Sequence, residues 1–181
     1  LLVAERAGRA VLAGMVKAAA SGCFIALALA LGALSTRYAS IVLVALVLSA
    51  LGDVALAGRR PAAFMTGLGF FLLAHMAFSV AFAQAPLPLA ALGGSAAAMA
   101  LVGVASLRWL WPHLGAAFKA PVLAYVVAIM AMCALAIAYA VATGRWLPAA
   151  GALLFAASDL AVARQAFVTK AVLSLGPVDD S

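Results

Sequence analysis

The chain has 181 residues, 69% of them hydrophobic and 9% charged, with a mean hydropathy of +1.25. A water-soluble fold of this size cannot bury so much apolar surface, so the expected solvent is the bilayer. Eleven Lys and Arg against five Asp and Glu give a net charge of +6, and in a membrane protein that excess reports loop orientation, which argues against a nucleic-acid partner.

The opening residues, Leu-Leu-Val-Ala-Glu-Arg, lack the charged start, apolar core and small-residue cleavage site of a signal peptide, and read as a chain joined in progress. About 20 apolar residues cross the hydrocarbon layer as a helix. Six such runs follow at roughly 17–34, 39–57, 62–84, 87–107, 119–142 and 146–163. They are too long, and too apolar on every face, for barrel strands of about 10 alternating residues. The expected fold class is therefore all-α, a polytopic transmembrane helix bundle. The expected organisation is a single domain over 1–167 and a short polar tail over 168–181. Cys23 and Cys133 lie inside apolar runs without C-x-x-C spacing and read as small hydrophobes.

The expected connections are Ser35–Arg37, Gly58–Pro61, Ala85–Pro88, a longer stretch from Arg108 to Ala120, and Thr143–Arg145. The longer stretch carries Trp109, Trp111, Pro112, His113 and Lys119, a composition suited to the headgroup level. If the six spans alternate, nine Lys and Arg fall on one side of the membrane and two, Arg37 and Arg145, on the other. That bias predicts that the N-terminal end, the 58–61 loop, the tryptophan stretch and the tail are cytoplasmic.

Among the acids, Glu5, Asp179 and Asp180 fall in polar segments, whereas Asp53 and Asp159 fall inside spans. Asp53 precedes Arg59 by six residues and Asp159 precedes Arg164 by five, placing each roughly 8–9 Å inside the same leaflet by helical rise. "GDVALAGR" and "SDLAVAR" share an Asp, apolar, Ala, apolar, Ala order before the Arg. A buried carboxylate is costly unless protonated or paired, so it persists where it works; the competing reading is a helix-end Asp held by Arg59 or Arg164. Two carboxylates in one low-dielectric pocket would divide into a proton donor and an ionised partner.

His75 is a third intramembrane polar group, with Gly67, Phe71 and His75 expected on one helix face and Gly67 and Gly69 permitting close approach. Lys17 either snorkels at the start of the first span or grips a phosphate. Tyr125 needs a hydrogen-bond partner for its hydroxyl in hydrocarbon. The chain shows no P-loop, dinucleotide fingerprint, H-E-x-x-H, G-x-S-x-G or metal-spaced His/Cys cluster, and no cofactor is implied.

The segments "SALGDVALAGRRPAAFMTGLGFFLLAHMAFSVAF", "APVLAYVVAIMAM" and "GALLFAASDLAVA" together resemble the signature blocks of the YhhN, or lysoplasmalogenase-like, family over most of residues 17–167. That resemblance implies hydrolysis of the vinyl ether bond of lysoplasmalogens to a fatty aldehyde and a glycerophospho-alcohol. It implies catalytic roles for Asp53 and Asp159, and His75 matches the family's A-H position. Lys17 matches a family lysine, although Ala18 and Ala19 stand where the family has Pro-Leu. The resemblance also implies eight spans, so the chain is expected to lack the first and last. Lys17, His75, Tyr125 and Arg59 are the expected substrate-binding residues, with the bilayer and a lysophospholipid as partners. The Ala-rich, Arg-using composition points to a bacterial inner membrane. The alternatives are a proton-coupled or small-solute transporter, since intramembrane Asp and His also build proton relays, and a non-catalytic lipid-binding membrane protein.

Overall fold

The computed structural model describes residues 19–58 and 61–169, and every regular element among them is helical. Six helices follow in order: α1 (Ala19–Ala30), α2 (Arg37–Leu56), α3 (Pro61–Phe82), α4 (Leu89–Leu110), α5 (Ala116–Thr143) and α6 (Leu147–Ala163). A 3₁₀ turn, Trp111–His113, follows α4, and α6 continues into a π-helical segment, Arg164–Thr169. Five of these stretches are long and apolar enough to cross a bilayer: Arg37–Leu56, Ala62–Phe82, Leu89–His113, Ala116–Thr143 and Leu147–Val168; the described part of α1 is shorter. The chain is thus a multi-pass, all-helical membrane protein. It divides into two units, Leu1–Gln84 with α1 to α3 and Ala85–Ser181 with α4 to α6.

In the first unit, α1 is stopped by Gly32, whose φ of 81° lies in the left-handed region. The Ala33 amide donates to the Ala28 carbonyl at 2.9 Å and the Gly32 amide to Leu29 at 3.0 Å, a glycine-terminated double closure of the last turn. Thr36 then starts α2, its hydroxyl accepting from the Ala39 amide at 3.1 Å. Helices α2 and α3 form an antiparallel hairpin whose register is set by glycine. A Cβ on Gly52 would stand 2.7 Å from the Phe71 ring, and one on Gly67 would stand 2.8 Å from the Leu56 side chain and 3.2 Å from the Gly52 carbonyl. Only hydrogen at these positions lets the two backbones approach this closely.

The second unit is an antiparallel run of three helices. Ser95 on α4 donates to the Ala134 carbonyl of α5 at 2.9 Å, and Gly103 faces Met130. Cys133 on α5 contacts the Ala152 carbonyl of α6 at 3.5 Å. Buried positions along α5 include the small residues Cys133, Ala134, Ala136, Ala138 and Ala140 beside Val122, Ile129, Met132 and Tyr139. Many large aliphatics lie outside, with Leu101 74%, Leu147 86% and Leu154 72% exposed. Such outward aliphatics are expected where lipid tails are as apolar as leucine and helices associate through close packing of small residues.

The structure departs from the sequence expectation mainly between α4 and α5. The stretch from Arg108 to Ala120, expected as a long connection, is mostly helical: α4 runs to Leu110 and α5 starts at Ala116, with Pro121 inside it. The reason is a small apolar core of Leu110, Leu114 and Val122, against which Phe118, Val126 and Phe167 pack. Phe118 and Phe167 meet edge-on at 5.4 Å, and Lys119 lies over the Trp111 ring at 5.2 Å. These contacts draw what reads as a headgroup-level connection into the ends of two helices.

Candidate functional site

Asp53 lies one turn before the end of α2, half-buried, and its backbone carbonyl accepts from Ala57 at 3.2 Å. Its neighbour Gly52 is fixed against Phe71 of α3. Successive helical residues are about 100° apart, so Asp53 is turned off the α2–α3 seam. There its Oδ2 accepts a hydrogen bond from the Ser21 hydroxyl of α1 at 2.9 Å.

Asp159 lies in α6, also half-buried, and its Oδ2 accepts from the Tyr125 hydroxyl of α5. A phenol in a membrane helix needs a polar partner, and the antiparallel register that pairs Cys133 with Ala152 brings position 125 opposite position 159. The two acids differ in setting despite their matching sequence. Helix α2 ends at Leu56, shortly after Asp53, whereas the helical path beyond Asp159 continues through Arg164 to Thr169. Asp159 therefore stands about 15 Å from the helical end.

His75 is fully buried, on a face of α3 with buried Gly67, Phe71 and Ala74, in agreement with the expected helical spacing. Its backbone carbonyl accepts from Ser79 at 2.8 Å. The contacts of Gly52 with Phe71 and of Leu56 with Gly67 set Asp53 one to two turns from the level of His75, about 6–10 Å along the axis. Lys17 and Arg59 lie outside the described residues. Thus the structure joins Tyr125 to Asp159 in one unit and places Asp53 and His75 on a packed hairpin in the other. Sequence reasoning missed Ser21. Its only signal was a hydroxyl in an apolar helix, and its partner lies 32 residues away.

Spanning helices, two of which carry a hydroxyl-bonded carboxylate, define a class, polytopic membrane proteins with carboxylates inside their spans. Comparison with known proteins narrows this class. The YhhN family model matches residues 12–177, and the chain belongs to that family. It is 44% identical over 120 residues to a protein of Mycobacterium bovis named lysoplasmalogenase, a match that takes in 64% of this chain and 45% of that one. A Mycobacterium tuberculosis protein of the same name matches at the same identity and coverage. The matched region is thus about half the length of these relatives. No solved structure gives a significant match.

Proposed function

We propose that the protein is a membrane-embedded hydrolase of lysoplasmalogenase type, cleaving the vinyl ether bond of a lysoplasmalogen or a related lysolipid. The observation that carries this reading is the 44% identity to proteins bearing that name, in a chain with carboxylates inside two of its apolar helices. Vinyl ether hydrolysis begins with proton transfer to the β-carbon, which leaves an oxocarbenium ion. Water adds to that ion, and the resulting hemiacetal collapses to the fatty aldehyde and the glycerophospho-alcohol. The reaction needs one proton donor and one ionised group to stabilise the cation and accept a proton from water, and Asp53 and Asp159 take these two roles.

The lipid tail lies among the apolar helices, Lys17 and Arg59 meet the phosphate, and His75 and Tyr125 complete the substrate contacts. The enzyme resides in a bacterial inner membrane with the 58–61 loop cytoplasmic, a topology supported by the distribution of Lys and Arg.

The test is aldehyde release from a lysoplasmalogen by the purified protein and its Asp53→Asn and Asp159→Asn variants. Each substitution is expected to abolish turnover while leaving folding intact; full activity in either one overturns the mechanism. Lipid mass spectrometry after incubation with a membrane extract identifies the head group and linkage consumed.

A further inference from the structure

We propose that Ser21 is the positioning residue of Asp53, holding its carboxyl plane for the reaction; this rests on the reading of Asp53 as a reacting group. A hydroxyl inside an apolar helix ordinarily satisfies itself on its own helix, by donating to the carbonyl one turn back. The chain follows that rule at Ser40, Ser49, Thr66, Ser79 and Thr143, which donate to Thr36, Ala45, Ala62, His75 and Tyr139 at 2.8–3.1 Å. Ser21 reaches across to a carboxylate on the next helix. The Tyr125 hydroxyl does the same for Asp159. Asp53 and Asp159 thus each receive a hydroxyl donor from a neighbouring helix.

The placement follows from packing. Gly52 is pinned against Phe71, which turns Asp53 away from α3 and toward α1. On α1, Ser21 carries the only side-chain hydroxyl between Ala19 and Ala30. A carboxyl group rotates readily about its terminal torsion. A donor on one carboxyl oxygen fixes the plane of the group. Truncating that donor would let the group rotate while removing a single oxygen atom, so the expected loss falls on turnover rather than on substrate binding.

Two measurements test this on the intact protein in proteoliposomes, with Ser21→Ala, Ser21→Thr and the near-isosteric Ser21→Cys. The first is the rate at which a hydrophobic carbodiimide labels Asp53, followed by mass spectrometry. Ser21→Ala is expected to change this rate by about threefold or more, with Ser21→Thr close to wild type and Ser21→Cys between them. The second is aldehyde release, where Ser21→Ala is expected to lower kcat about tenfold with KM unchanged, and Ser21→Thr to restore it.

Wild-type labelling and kcat in Ser21→Ala overturn the proposal, as does a loss that Ser21→Thr fails to restore. If Ser21→Ala does not fold, Ser21→Cys decides by the same criteria. If wild type releases no aldehyde, or Asp53→Asn is fully active, the hydrolase reading fails separately, and the labelling rates alone decide whether Ser21 holds the carboxyl.

Discussion

The Tyr125 hydroxyl on α5 donates to Oδ2 of Asp159 on α6, across the antiparallel seam where Cys133 meets Ala152 about two turns farther along. The bond satisfies a phenol and a carboxylate together in a setting where either alone would be costly. It also makes Tyr125 a partner of one of the two proposed reacting acids.

Tyr125→Phe is therefore expected to lower aldehyde release by about ten- to a hundredfold, the scale of a lost hydrogen bond to a charged group, while the ring keeps its packing. The kcat of the purified variant and its thermal unfolding midpoint check this together. Wild-type turnover in Tyr125→Phe would dissociate the hydroxyl from the chemistry.

Alanine at different glycines should carry very different costs. Gly52→Ala brings a methyl to 2.7 Å from the Phe71 ring, and an aromatic ring braced between helices cannot bend away. It should destabilise the α2–α3 hairpin by about 1–3 kcal/mol. Gly103→Ala meets the flexible Met130 side chain at 3.0 Å and should cost less. Gly93→Ala meets nothing within 4 Å and should be neutral or stabilising by up to about 1 kcal/mol, through improved helix propensity. Unfolding midpoints of the three variants in one detergent test the order, and Phe71→Leu should recover part of the Gly52→Ala loss.

Gly144 closes α5 with φ at 69° and its amide on the Ala140 carbonyl at 2.8 Å. Gly144→Ala forces a side chain into the left-handed region and should cost about 1 kcal/mol, with Gly144→Asn costing less because Asn tolerates that conformation. Local hydrogen exchange at the α5–α6 turn is the sensitive readout, since fraying there need not lower the global midpoint.

Much of the architecture was legible in the sequence because the bilayer imposes it. Runs of about 20 apolar residues have few options other than helices. The expected second to sixth spans correspond to α2 to α6 within a few residues at most boundaries. The connection after Arg108 is shorter than expected, because Trp, Pro, His and Lys read as a headgroup-level stretch. Leu110, Leu114, Val122 and Phe118 pack there instead, and a contact between distant positions leaves no mark on local composition.

Asp53, Asp159, His75 and Tyr125 stand out by sequence alone because a polar group within an apolar run is costly wherever the helices settle. Their partners do not stand out. Ser21 to Asp53 spans 32 positions and Tyr125 to Asp159 spans 34. Which hydroxyl meets which carboxylate depends on helix rotation and register. Those are set where Gly52 admits Phe71, where Gly67 admits Leu56, and where Ser95 and Cys133 tie α5 to its neighbours. Hydropathy determined that the chain lives in a membrane and which polar residues are out of place there. Only close packing between helices, acting through single glycines and hydroxyls, decided what each of those residues touches.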